Sequence, residues 1–208
     1  MSSLMAVILV VTVGLLLDGS SRAWLRTYES AHGGVPQNAE VIMTTFGSLG
    51  RRSNRACYCL YRVNEGVFTP ALPEPGYPDS VVSGTAVEFR YWDVPLDASD
   101  SHNLMDPAKP ATAYALFYLD GHQLKVDYGP YPPGAVPTGG GRRNTTGVTT
   151  LVLAQNVACD SGGGPFSHTT VANAGQGSVR LNAVLTAPNS GETSRVATAA
   201  LLRNIWPR

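Results

Sequence analysis

The sequence predicts an α+β protein in which a long N-terminal apolar helix packs on an antiparallel β-sheet. Three observations predict this fold class: an apolar block at the N-terminus, an amphipathic helical pattern after it, and alternating strands with turn residues between them over the rest of the chain. The predicted organisation is residues 1–32 as the apolar helix, 33–56 as an amphipathic helix after a Gly-Gly-Val-Pro break, and 57–208 as a β domain with Pro- and Gly-rich loops.

The first segment is apolar from Leu4 to Leu17 except for Thr12 and Gly14. This block is shorter than the roughly 20 residues that a membrane span needs, and a helical continuation as far as Trp24 would supply the missing length. The alternative is a signal peptide cleaved after Ala23, although no positive charge precedes the apolar block. The sequence leaves both interpretations open and favours the embedded helix.

A second helix is predicted by an apolar stripe. Ala39, Ile42, Phe46 and Leu49 recur at spacings of three and four and would occupy one face of a helix that ends near "GRRSNR". The preceding "HGGVPQ" opposes an uninterrupted helix, because its glycines and proline disfavour helix interiors. We therefore expect a separate amphipathic helix after this break.

Alternating apolar and polar residues predict β-strands in the remaining chain. In "ACYCLYRV" the alternation places Cys57, Cys59, Tyr61 and Val63 on one face, and "TAVEFRYWDV" sets apolar residues against Glu88 and Arg90. Hairpins are predicted at "YALFYLDGHQLKVDY", where Asp-Gly suits a tight turn, and at "SVRLNAVLTAPNSGETSRVATAALLRN". The segments "FTPALPEPGYPDS" and "GPYPPGAVPTGGGRRN" are expected to be surface loops, the second of them mobile.

Composition narrows the class of partner. Lysine plus arginine number 15 and aspartate plus glutamate also number 15, so no basic surplus is available for a phosphate backbone and no nucleic acid partner is expected. Only 14% of residues are charged, and Gly (22) and Pro (15) are abundant. This composition is typical of β-rich extracytoplasmic proteins with many turns.

Three cysteines are candidates for a disulfide or a metal site. Cys57, Cys59 and Cys159 fit one long-range disulfide with one thiol left over in an oxidising compartment. Residues two apart on a strand are poorly placed to bridge each other, so Cys159 pairs more readily with one of the other two. Three thiols beside Asp160 suggest zinc, but no C-x-x-C spacing and no neighbouring histidine support it, so no metal and no cofactor is expected.

One stretch, "CDSGGGPF", is similar to the segment around the nucleophile of trypsin-like proteases. Such chemistry needs a histidine base and an orienting aspartate, and "SAH", ending at His32, faintly resembles the histidine motif of that family. However, His32 directly follows the apolar helix, Cys159 stands where the family has glycine, and an extra glycine precedes Pro165. We therefore expect Ser161 to lie in a flexible glycine turn and the protein not to be an enzyme.

The order of these parts resembles the type IV pilins and the pseudopilins of type II secretion. The N-terminus "MSSLMAVILVVTVGLLL" is similar to a mature pilin segment, and the C-terminal half resembles the larger PilW-like and GspJ-like members. The stretches that carry the second likeness are "ALFYLDGHQLKVD", "LVLAQNV" and "GSVRLNAVLTAPNSGETSRVATAALLRN", in that order. The resemblance covers most of the chain.

The resemblance implies a structural subunit of a pilus-like or pseudopilus filament. Its N-terminal helix would wait in the bacterial inner membrane and then pack against copies of itself or other pilins in an extracellular filament. The implied assembly residues are Met1, at the position that is N-methylated in the family, together with Met5, Val10 and Gly14. Met5 departs from the family, which usually has glutamate there. The alternatives are a membrane-anchored extracytoplasmic binding domain and a secreted serine hydrolase that uses Ser161.

Overall fold

The computed structural model describes residues 34–72, 81–91, 111–159, 162–169, 178–188 and 190–201, with backbone alone at 54–57 and 201. Within these ranges the chain forms one helix and eleven strands. In chain order they are α1 (Gly34–Arg52), β1 (Ser53–Asn64), β2 (Val67–Pro70), β3 (Val81–Gly84), β4 (Ala86–Tyr91), β5 (Ala113–Asp120), β6 (Gln123–Pro130), β7 (Thr149–Ala154), β8 (Val157–Ala158), β9 (Phe166–Thr169), β10 (Ser178–Thr186) and β11 (Thr193–Leu201).

The strands form two antiparallel sheets. Sheet A has six strands in the order β2-β1-β4-β5-β6-β7. Sheet B has five strands, in the order β11-β10-β9-β3 with β8 also paired to β10. The predicted fold class, a long N-terminal helix on one antiparallel sheet, is therefore wrong: the described chain is mostly β, with two sheets and a single helix of 19 residues. Alternation identifies strands and their faces, but long-range pairing alone assigns each strand to a sheet.

Helix α1 begins at Gly34, with Pro36 in its first turn, where the missing N–H of proline leaves no helical hydrogen bond unmade. Its last turn carries Arg51 and Arg52, whose charges suit the negative end of the helix dipole. Among the described residues, no helix has the length and apolar character needed to cross a membrane. The apolar block predicted at residues 1–32 lies outside the described residues.

The main core lies between helix α1 and the two sheets. The predicted stripe is confirmed in its centre, since Ile42 and Phe46 are fully buried, while Ala39 and Leu49 are partly buried against the core. The ring of Phe46 lies 5.2 Å from Phe117 of sheet A and 6.1 Å from Phe166 of sheet B, measured between ring centroids. Because one side chain contacts both sheets, α1 and the sheets share a single core.

The two predicted hairpins are confirmed. Strands β5 and β6 pair from Ala113 with Pro130 to Asp120 with Gln123, and Gly121 opens the two-residue loop with a φ of +57°. Strands β10 and β11 pair along their whole length. Short turns that demand positive φ are local signals, which is why sequence patterns locate them well.

Candidate functional site

The predicted assembly residues all precede α1 in the sequence. Met1, Met5, Val10 and Gly14 lie outside the described residues, as does Ser161. Cys59 lies in β1 and Cys159 directly follows β8; both are half-buried, and no disulfide joins these two cysteines. The side chain of Cys57 is not described, so a disulfide of Cys159 stays a prediction. Cys59 and Val63 pack with the buried Tyr61 on one face of β1, as the alternation predicts.

The glycines after Ser161 pack closely on sheet B. Gly164 has a φ of +107°, and a side chain there would collide with the backbone of Gly84 in β3. A side chain at Gly163 would meet Ser83, and the carbonyl of Pro165 accepts a hydrogen bond from the N–H of Asn182 at 2.8 Å. A glycine turn is present, and these contacts explain its glycines by close backbone approach to β3 rather than by the predicted flexibility.

The outer face of sheet A is covered by the segment between β6 and β7, residues 131–148, which we call the cover segment. Ala135 and Val136 of this segment are buried against a second apolar cluster on sheet A, which contains Tyr61, Phe68, Ala86, Tyr114 and Leu116. The sequence predicted a mobile loop here, and that prediction is wrong for this part of the segment. Its proline and glycine residues allow the chain to follow the sheet surface, and apolar burial holds it there.

Glu88 of β4 fastens the cover segment to the sheet. Its side chain is fully buried, and Oε2 accepts a hydrogen bond from the backbone N–H of Val136 at 2.6 Å. Oε1 accepts a second hydrogen bond from Nε of Arg90 at 2.6 Å, while Nη2 of Arg90 donates to the carbonyl of Val136 at 3.3 Å. Burial raises the pKa of the Glu88 carboxyl, although the Val136 N–H and the Arg90 charge oppose that rise.

A second buried ion pair fastens the same segment farther along. Arg143 of the cover segment contacts the carboxylate of Asp127 in β6, and their side chains are only 6% and 2% exposed. Nη1 of Arg143 also donates to the carbonyl of Gly134 at 3.1 Å. The hydroxyl of Tyr118 donates to Oδ1 of Asp127 at 3.3 Å, and burial followed by the Asp127 charge raises the pKa of Tyr118 to about 12.

A cleft of about 170 Å³ lies between residues 138–139, in the middle of the cover segment, and strands β1, β2 and β4. It is lined by Tyr58, Cys59, Tyr61, Pro70, Arg90, Thr138 and Gly139. Arg90 lines this cleft, and across the described part of the chain its Nη1 makes no hydrogen bond, so this atom can donate to a carboxylate or carbonyl oxygen.

The thiol in this cleft is a poor nucleophile. Burial raises the pKa of Cys59, and its Sγ lies 3.5 Å from the carbonyl oxygen of Leu60, to which it donates. Because the thiolate is the reactive form, a raised pKa keeps Cys59 protonated and unreactive near neutral pH. The arrangement therefore suits binding of a small polar group better than covalent catalysis. Within the described residues, no three His, Cys, Asp or Glu side chains are grouped so that they could hold a metal ion.

The sequence patterns did not identify Glu88 and Asp127, the two buried carboxylates that anchor the cover segment. Glu88 was assigned to the polar face of its strand, and its burial follows from a segment more than forty residues away that no local pattern connects to it. The available signal was an acidic residue two positions before Arg90, since residues at this spacing share one face of a strand.

Similarity to known proteins does not identify a function for this chain. No protein-family model, no curated protein and no solved structure matches this chain.

Proposed function

We propose that this chain is a non-catalytic structural subunit of a pilus-like or pseudopilus filament. The residues before α1 would form the filament core, and the two-sheet domain would lie on the outer surface. The observation that carries the proposal is the attachment of α1, which begins at Gly34 and is separated by sixteen residues from the end of the apolar block at Leu17. Its buried stripe of Ile42, Phe46 and Gly50 joins it to the core of both sheets.

This attachment would allow a filament subunit to transmit mechanical force from α1 to the β domain. Phe46 packs at 5.2 to 6.1 Å, centroid to centroid, from three aromatic rings, those of Phe89, Phe117 and Phe166, which belong to two different sheets. A force on the N-terminal end of α1 would therefore reach both sheets through close-packed side chains rather than through a flexible linker. The β domain would follow the position of its helix in an assembly.

The assembly would depend on apolar packing of the N-terminal helices. The block from Leu4 to Leu17 carries no charge, so it would be stable in the inner membrane before assembly and in a filament core afterwards. The partners would be copies of this chain or other pilin-like subunits. The neutral balance of the chain provides no reason for a nucleic acid partner.

The test introduces a charge into the apolar block. In Val10→Asp cells, the protein should be absent from sheared surface fibres, because an aspartate at the centre of an apolar segment costs about 2.5–3.5 kcal/mol. Val10→Leu is the matched control and should assemble normally. Trypsin resistance of the β domain should be unchanged in both variants. Normal fibres containing Val10→Asp would refute the proposal.

The intact mass of the protein isolated from cells gives an independent check. A chain that begins at Met1 with one additional methyl group on its amine would support pilin-type processing. A chain that begins at Trp24 would show that the apolar block is a cleaved signal peptide, and the filament proposal would then fail.

The cleft beside Arg90 favours a second candidate function, that of a membrane-anchored binding domain. Its free guanidinium N–H groups and the rings of Tyr58 and Tyr61 suit a small ligand with one carboxylate. Titration with acetate and benzoate, followed by NMR of the amides of Thr138 and Gly139, tests this candidate. Saturable shifts that an amide analogue such as benzamide does not produce would support it, and no shifts up to high millimolar ligand would exclude these carboxylates.

A further inference from the structure

Strand β7 lies at an open edge of sheet A. It pairs with β6, from Tyr128 with Thr149 to Leu124 with Ala154, and within the described ranges no strand pairs with its other side. An open edge presents unpaired N–H and C=O groups to any extended chain that approaches it. Natural proteins usually protect such edges, and the edge strands β2, β3 and β11 are protected in different ways.

The opposite edge of sheet A is blocked. Strand β2 has only four residues and ends at Pro70, which has no N–H to offer. The cover segment also pairs with it: the N–H of Phe68 donates to the carbonyl of Gly141 at 3.0 Å, and the N–H of Gly141 donates back at 2.7 Å. A second chain cannot add to β2 without displacing these hydrogen bonds.

The edges of sheet B are protected by other means. Strand β3 has four residues, and its last residue, Gly84, lies against the backbone of Tyr61 in β1. Strand β11 carries the charged Arg195, and helix α1 packs against this strand. Short length, charge and coverage are the recognised protections of an edge strand. Strand β7 is longer than β2 and β3 and carries no charge; α1 also contacts it, but its first four residues stay exposed among the described parts of the chain.

The composition of β7 also favours the addition of another strand to its edge. Its sequence, TTLVLA, contains no charge, proline or glycine and is rich in residues that favour strands. Its first four residues are exposed, including Leu151 at 46% and Val152 at 43%. Consecutive residues point to opposite faces, so β7 offers an apolar side chain on each face of the sheet.

We propose that β7 pairs edge to edge with β7 of a second copy of this chain, so that the two A sheets become one continuous sheet. An uncharged strand can meet an identical strand antiparallel across a twofold axis without like-charge repulsion. The charges on the neighbouring strand β6 are already balanced within the chain, since Lys125 pairs with Asp120 at 2.6 Å and Asp127 pairs with Arg143. This proposal does not depend on the filament proposal, because it concerns only the β domain.

The test uses the full chain in detergent, with two matched lysine variants. Thr150→Lys places a charge on the exposed edge of β7, and Thr193→Lys makes the same change at an exposed position on the edge of sheet B. Sedimentation should show a concentration-dependent dimer in the unmodified protein and in Thr193→Lys. Thr150→Lys should raise the dimer dissociation constant about tenfold or more, because each copy would bring a lysine charge into the paired edge.

Amide hydrogen exchange of the unmodified protein provides a readout that requires no variant. Exchange of the β7 amides should slow as protein concentration rises through the dimer transition, while amides in β2 should not change. A monomer at all concentrations would overturn the proposal. It would also be overturned by a dimer whose β7 amides exchange at the monomer rate, because the contact would then lie elsewhere, for example in the N-terminal segment. If Val10→Asp abolishes fibres but leaves the β7 dimer intact, filament assembly and β7 pairing depend on different contacts.

Discussion

The buried carboxylate of Glu88 accepts a hydrogen bond from the backbone N–H of Val136 at 2.6 Å, across 48 positions of sequence. The same carboxylate accepts a hydrogen bond from Arg90, which also donates to the carbonyl of Val136. Three polar groups on the outer face of sheet A thus satisfy one another beneath the cover segment. This set determines how the cover segment lies on the sheet and where the cleft opens.

Removal of this carboxylate should destabilise the fold. Glu88→Ala should lower the free energy of unfolding by about 3–5 kcal/mol, because the Val136 N–H and the Arg90 guanidinium lose their buried acceptor. Urea unfolding followed by circular dichroism measures the change. Glu40→Ala, at an exposed position in α1, is the control and should change stability by less than about 0.5 kcal/mol. A similar small effect at Glu88 would contradict the anchoring role.

The same carboxyl group should make stability depend on pH. Burial raises its pKa above the ordinary value of 4.5, so the folded chain favours the neutral form more than the unfolded chain does. The contribution of Glu88 to the free energy of unfolding is therefore full below about pH 4.5 and is lost as the pH rises through the raised pKa.

The non-titrating variant Glu88→Gln isolates this effect. Urea midpoints of both proteins at a series of pH values should show the stability of the unmodified chain, relative to the variant, falling as the pH rises above about 4.5 and then levelling. A relative stability that increases over the same window would mean that the pKa of Glu88 is lowered in the folded chain.

Two glycines of α1 should respond in opposite directions to replacement by alanine. A Cβ at Gly50 would collide with the side chain of Ala200 in β11, whereas nothing lies within 4 Å of a Cβ at Gly47. Gly50→Ala should therefore lower the free energy of unfolding by about 1–3 kcal/mol through overpacking. Gly47→Ala should raise it by about 0.5–1 kcal/mol through helix propensity.

Thermal unfolding of the two glycine variants measures both changes. Each protein is the control for the other, since the substitution and the helix are the same. Stabilisation by Gly50→Ala would show that α1 lies farther from β11 than this contact requires.

Cys59 should react slowly with alkylating reagents. Burial raises its pKa and half-covers its sulfur, so little thiolate is present and accessible at pH 7. Iodoacetamide should modify Cys59 at least about tenfold more slowly in the folded chain than in the urea-unfolded chain, as measured by peptide mass spectrometry. Rapid modification of the folded chain at pH 7 would instead indicate an activated thiol in the cleft.

Sequence patterns predicted the elements that depend on interactions between residues close in the chain, namely the helix and the tight turns. The apolar stripe around Ile42 and Phe46 predicted the helix, because burial of one face requires that spacing. The hairpin at Gly121 was predicted because few residues other than glycine adopt its positive φ at low cost. The filament function and its assembly residues stay predictions, as does the disulfide of Cys159.

The candidate site was not predicted, because its contacts join distant parts of the chain. The cover segment is rich in proline and glycine, and this composition is shared by mobile loops and by segments that follow a surface closely. Only the apolar contacts of Ala135 and Val136, and the two buried carboxylates beneath the segment, distinguish the second case.

By itself, the sequence determined the helix that carries the Ile42 and Phe46 stripe, the alternating strands and the tight turns, because periodicity and backbone preferences act over a few residues. The tertiary structure alone decided that the strands divide between two sheets, that Glu88 is buried, and that β7 pairs on one side only within the described residues. The physical reason is that strand pairing and burial depend on which distant segments meet. A period of two specifies the faces of a strand but not its neighbours.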